Sequence, residues 1–90
     1  MHAAERKRRS MEVKQIIAQR LDIDERLVSI DATLCGDLGA DSLSIIDLVL
    51  AMEETYDIDI ADDDVERMRT VGDIADCVLA ARARAAAAHG

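Results

Sequence analysis

The residue with the most chemical potential in this chain is Ser42. It closes the run Gly36-Asp37-Leu38-Gly39-Ala40-Asp41-Ser42 and opens an amphipathic segment studded with carboxylates. A glycine-containing loop followed by helical apolar spacing places its hydroxyl at the first turn of a helix. Serine becomes a nucleophile beside a base that takes its proton, and no histidine or lysine lies within sequence reach of position 42. A nucleophile elbow would also need glycine two residues after the serine, where this chain has Ser44. Two readings stay open: Ser42 helps to start a helix, or its hydroxyl carries a covalent, phosphate-linked group. A helix N-terminus favours a phosphate by typically about 0.3–1 kcal/mol.

Other reactive residue types suggest less. Asp57, Asp59 and Asp62 to Asp64 cluster tightly, but a calcium-binding EF-hand loop starting at Asp57 needs glycine sixth and glutamate twelfth; Asp62 and Met68 occupy those places. His2 and His89 sit at opposite ends of the chain and read as solvated tail residues, so no metal site is expected. Cys35 and Cys77 are too few for a disulfide framework, which points to a reducing, cytoplasmic setting. Cys35 reads as a small buried thiol, and Cys77 as core or core edge.

Charge narrows the partners. From Asp22 to Asp64 there are fourteen acidic residues and one basic residue, Arg26, while Arg6 to Arg9 and Arg82 and Arg84 make the ends basic. Such a field repels nucleic acid and draws basic protein surfaces, although it could also serve solubility alone. No run reaches the roughly 18 apolar residues of a membrane span, and no apolar run follows the basic start as in a secretory signal.

The elements that must position Ser42 are helices. Proline is absent, glycine is scarce and Tyr56 is the lone aromatic residue, so an aliphatic all-α core is expected. Residues 1–9 read as a basic, disordered arm, 10–82 as a single domain, and 83–90 as a fraying Ala-rich tail. A first helix, capped by Ser10, carries Val13, Ile16, Ile17 and Leu21 at helical spacing and ends near Leu21. The twenty residues from Asp22 to Asp41 are long for a structureless loop. They are expected to turn Ile23, Leu27, Val28, Ile30, Leu34 and Leu38 inward and to contain a helical turn near Asp24 to Val28. A second helix runs to about Tyr56, capped by Asp41 for about 1 kcal/mol. A short third spans about Asp62 to Met68, and a fourth starts at a Thr70/Asp73 capping box. The fold class is a small four-helix bundle, three longer helices and one short one.

The second helix is apolar on two sides. Ile45, Leu48, Val49, Met52 and Tyr56 form a buried stripe; Leu43, Ile46 and Leu50 form another, flanked by Asp47, Glu53 and Glu54. That second strip is either sandwiched in the core or open to a partner. A domain this small favours the open case.

With the Asp41-Ser42-Leu43 motif, Asp37-Leu38-Gly39 before it, Tyr56-Asp57-Ile58-Asp59-Ile60 and Thr70-Val71-Gly72-Asp73, the chain resembles the acyl carrier proteins from about Val13 to Val78. The resemblance implies a carrier and not an enzyme. A phosphopantetheinyl transferase would attach 4′-phosphopantetheine to Ser42, with Asp41 helping to hold the Mg²⁺ used in attachment. Acyl groups would ride on the arm as thioesters for fatty acid biosynthesis by discrete enzymes. Acyl synthases and acyltransferases with basic surfaces would dock on Leu43, Ile46, Asp47, Leu50, Glu53 and Glu54, the protein acting as a monomer. Leu48, Met52, Ile60, Met68, Val71 and Ile74 are candidates to line an acyl pocket, with plain core packing as the other reading. Ser44, Ile45, Ala61 and Cys35-Gly36 depart from the commonest fatty-acid pattern and keep open a carrier of polyketide, lipopeptide or another acyl product. A helical adaptor without a covalent group is the more distant reading.

Overall fold

The computed structural model describes residues 2–89, with side chains at residue 8 and residues 10–87. Four helices run in order: α1 (His2–Leu21), α2 (Ser42–Tyr56), α3 (Asp62–Arg67) and α4 (Val71–His89), with a 3-10 turn (Glu25–Leu27) after α1. The described chain is all-α, as expected, with α1 packed on both α2 and α4.

Helix α1 begins eight residues before the cap expected at Ser10, so Ser10 is an interior helical residue. Strong helix formers on both sides of Ser10 account for the continuation. The helix stops where Asp22 turns left-handed (φ 55) and the Ile23 N–H reaches back to Ala18 O at 3.0 Å. α2 ends the same way, with Asp57 at φ 53 and the Ile58 N–H bonded to Glu53 O at 3.2 Å. Aspartate tolerates this conformation better than most residues, and each turn sends the following isoleucine toward the core.

The sealed centre is aliphatic: Val13 and Ile17 from α1, Leu48 and Met52 from α2, Val71, Ile74 and Val78 from α4. Tyr56 sits at the edge, its hydroxyl 3.4 Å from Glu12 Oε1 and its ring 5.8 Å beneath the Arg82 guanidinium. α4 opens on the expected capping box, the Asp73 N–H donating to Thr70 Oγ1 at 3.2 Å and the Thr70 N–H to Asp73 Oδ2 at 3.0 Å. Its helical backbone continues through residues 83–89.

The connection from residue 22 to 41 is packed and fastened. Its turn lies where expected, with the Asp24 carboxylate accepting from the Arg26 N–H at 2.9 Å. Val28, Ala32, Leu34 and Ala40 are buried, whereas Leu27 (63% exposed) and Ile30 (37%) face outward, correcting the expectation that both point in. Ile30 instead lies over the start of α4, its carbonyl accepting from the Gly72 N–H at 2.9 Å. The Leu34 N–H donates to Arg69 O at 2.9 Å and the Val71 N–H to Ala32 O at 3.1 Å. The loop before α2 and the link from α3 to α4 are thus tied by their backbones.

Candidate functional site

Ser42 is exposed at the first position of α2. Two devices hold it there. Upstream, Thr33 and Asp37 exchange bonds: the Thr33 N–H donates to Asp37 Oδ2 and the Asp37 N–H to Thr33 Oγ1, each at 2.9 Å. Gly36 sits inside this box, where a Cβ would lie 2.8 Å from Thr33 Oγ1. Gly39 then takes a left-handed turn (φ 71), which glycine adopts without a side-chain penalty, and buried Ala40 donates its N–H to Leu34 O at 2.8 Å. At the helix itself, extended Asp41 accepts from the Ser44 N–H at 2.8 Å and its carbonyl takes the Ile45 N–H at 3.0 Å. The backbone N–H of Ser44, and next its side chain, hold the Asp41 carboxyl below the usual carboxylate range.

Beside Ser42 opens a cleft of about 450 Å³ between α2 and α3. Ile45, Ile46, Val65 and Met68 give it apolar walls, and Thr33, Cys35, Glu66 and Arg69 line it with polar groups. An exposed hydroxyl at the positive end of a fifteen-residue helix, next to an apolar cleft, suits a tethered phosphate followed by an uncharged arm.

The expected site residues divide. Leu43 (77% exposed), Ile46 (52%) and Leu50 (52%) form the open apolar strip. Glu54 is exposed beside it, and Asp47 lies 3.6 Å from Arg20 of α1 in a half-exposed ion pair. Glu53 turns away: half-buried, it accepts the Ile60 N–H at 3.0 Å and so holds the link between α2 and α3. The six pocket candidates are all buried, and of them only Met68 lines the cleft beside Ser42. Leu48, Met52, Val71 and Ile74 belong to the core cluster, as does Ile60.

Three residues outside the expected set matter here. Ile45 and Val65 form cleft wall, and Arg69 is its one cation among the described residues. Cys35, expected to be buried, is exposed on the cleft, because Leu34 before it takes the inward position. Cys77 is half-buried as expected, its thiol raised by burial and then by the Asp64, Asp73 and Asp76 carboxylates. The side chains of His2 and His89 lie outside the described residues. No group of three or more His, Cys, Asp or Glu residues among the described ones could hold a metal ion.

Residues 12–78 match the phosphopantetheine attachment site family. An acyl carrier protein of Bdellovibrio bacteriovorus is 49% identical over 63 residues, covering 70% of this chain and 81% of that protein. One of Syntrophobacter fumaroxidans is 46% identical over 69 residues, covering 74% and 85%. Among solved structures, the acyl carrier protein of Thermotoga maritima superposes with a TM-score of 0.76 at 30% identity, covering 90% of this chain and 94% of that one.

The chain therefore belongs to the acyl carrier proteins. It is a carrier and not an enzyme, and its prosthetic group is 4′-phosphopantetheine. Proteins of this family work with phosphopantetheinyl transferases and with acyl-processing enzymes. No described helix is long and apolar enough to cross a membrane.

Proposed function

We propose that Ser42 is the attachment residue and that the chain shuttles acyl intermediates for fatty acid synthesis by discrete enzymes. The observation that carries the assignment is the exposed Ser42 hydroxyl at the start of α2, on the edge of an apolar cleft. The bound group supplies a flexible arm whose terminal thiol holds cargo as a thioester. Asp41, exposed and held below the usual carboxylate range by Ser44, would offer an oxygen ligand to the Mg²⁺ used during attachment.

Docking falls to Leu43, Ile46 and Leu50, with Asp47 and Glu54 presenting negative charge to basic partner surfaces. Glu53 contributes by holding the α2–α3 link. Chain sequestration is assigned to the cleft beside Ser42, with Met68 as the contact between it and the other five buried pocket candidates. The carrier unit occupies residues 10–82, supported by the family match over 12–78. It acts as a monomer in the cytoplasm, where exposed Cys35 stays reduced.

The test is intact-mass analysis after incubation with coenzyme A, Mg²⁺ and a broad-specificity phosphopantetheinyl transferase. One phosphopantetheine mass is gained by the native chain and none by Ser42→Ala. A gain that survives in Ser42→Ala contradicts the assignment.

A further inference from the structure

We infer that Arg69 is the counter-ion of the prosthetic group's phosphodiester and fixes the direction in which the arm leaves Ser42. The inference rests on Ser42 as the attachment point. From Leu27 to Glu66 the chain has no lysine or arginine, so the surroundings of Ser42 are built almost wholly from neutral and acidic residues. Arg69 breaks that pattern inside the cleft that Ser42 borders, where it is the one cation among the described lining residues.

Its placement is built. The Arg69 Nη1 donates to the Glu66 carbonyl at 2.6 Å and to the Met68 carbonyl at 3.2 Å, which pins the guanidinium over the end of α3. Its backbone is fixed separately, with the N–H on Asp73 Oδ2 at 2.8 Å and the carbonyl accepting from the Leu34 N–H at 2.9 Å. The Asp73 carboxylate is attracted weakly by the Arg69 charge, but among the described residues no ion pair within 4.0 Å joins the guanidinium to Asp73 or Glu66. Nε and Nη2 make no hydrogen bond there. An arginine held by carbonyls, with donors to spare, lining the same cleft as Ser42, is suited to receive that anion. The need is electrostatic: the Asp41 carboxylate stands next to the attachment residue and carries the same sign as the phosphodiester.

The experiment is a cycle of apo and holo protein in native, Arg69→Gln and Arg69→Lys chains, read by urea denaturation and by the ³¹P resonance of the holo forms. Loss of the carbonyl bonds weakens apo and holo alike and cancels in the cycle. Attachment of the arm to native protein is expected to raise the folding equilibrium constant roughly two- to fivefold relative to its effect in Arg69→Gln. Arg69→Lys should retain part of that difference, and about 1 M salt should remove it. The ³¹P line should shift between native protein and Arg69→Gln. Equal effects of attachment in both chains, with an unmoved ³¹P line, overturn the inference, as does a difference that appears only after an acidic acyl group is loaded. Failure of Ser42 to accept the arm is read separately by mass and would remove the attachment assignment instead.

Discussion

The Thr33 hydroxyl and the Asp37 carboxylate each accept the other residue's backbone N–H at 2.9 Å, closing a box around Gly36, six residues before Ser42 begins α2. Both residues are exposed, so the box shapes the loop more than it stabilises the core. Thr33→Val removes one acceptor and should cost about 1 kcal/mol. Gly36→Ala pushes a Cβ against Thr33 Oγ1 and should cost more than Thr33→Val. Urea denaturation checks both, and an unchanged midpoint for Gly36→Ala would contradict the packing described.

Glu53 and Glu54 are neighbours in sequence with opposite duties. Glu53→Ala leaves the part-buried Ile60 N–H without its acceptor and should destabilise the fold by about 1–3 kcal/mol. Glu54→Ala, on the exposed side, should stay within about 0.5 kcal/mol of the native chain. Equal losses in thermal denaturation would show that the carboxylate of Glu53 holds nothing.

The acid limb of the stability curve should depend on Asp73. Its carboxyl is held below its ordinary value of 3.8, first by the Arg69 N–H and then by the Thr70 N–H. A carboxyl depressed on folding contributes stability that is present above the unfolded value and lost as pH falls through the folded one. Stability should therefore fall as pH drops below about 4, and less steeply in Asp73→Asn. Identical slopes for the two proteins would exclude this contribution.

The strip of Leu43, Ile46 and Leu50 contributes little to the core. Leu50→Ala should leave stability within about 0.5 kcal/mol of native yet slow acyl loading by partner enzymes. A buried counterpart, Leu48→Ala, should cost about 2–5 kcal/mol. Initial-rate measurements at fixed enzyme separate the two. Unchanged loading by Leu50→Ala would remove the strip from docking.

Much of this architecture was legible in the chain. The α2 boundaries follow from Asp41 as cap and the apolar spacing up to Tyr56, and the Thr70/Asp73 box marks the start of α4. The two-sided apolar pattern of α2 also separated buried Leu48 and Met52 from exposed Leu43, Ile46 and Leu50. What escaped depends on contacts distant in sequence. Leu27 and Ile30 read as core by hydrophobicity, but burial in an irregular loop follows its tethers to residues 69–72, which no periodicity encodes. Glu53 looked like surface charge because its partner is a backbone N–H seven residues on. The cleft likewise forms where α2 meets α3, so Val65 carried no local signal, and nothing local set Arg69 apart from Arg67 two residues before it.

The most direct measurement of the central claim is fragmentation mass spectrometry of proteolytic peptides from protein modified in the presence of coenzyme A. The phosphopantetheine mass is predicted on Ser42 alone. Its appearance on Ser44, or on any residue outside the start of α2, would contradict the account.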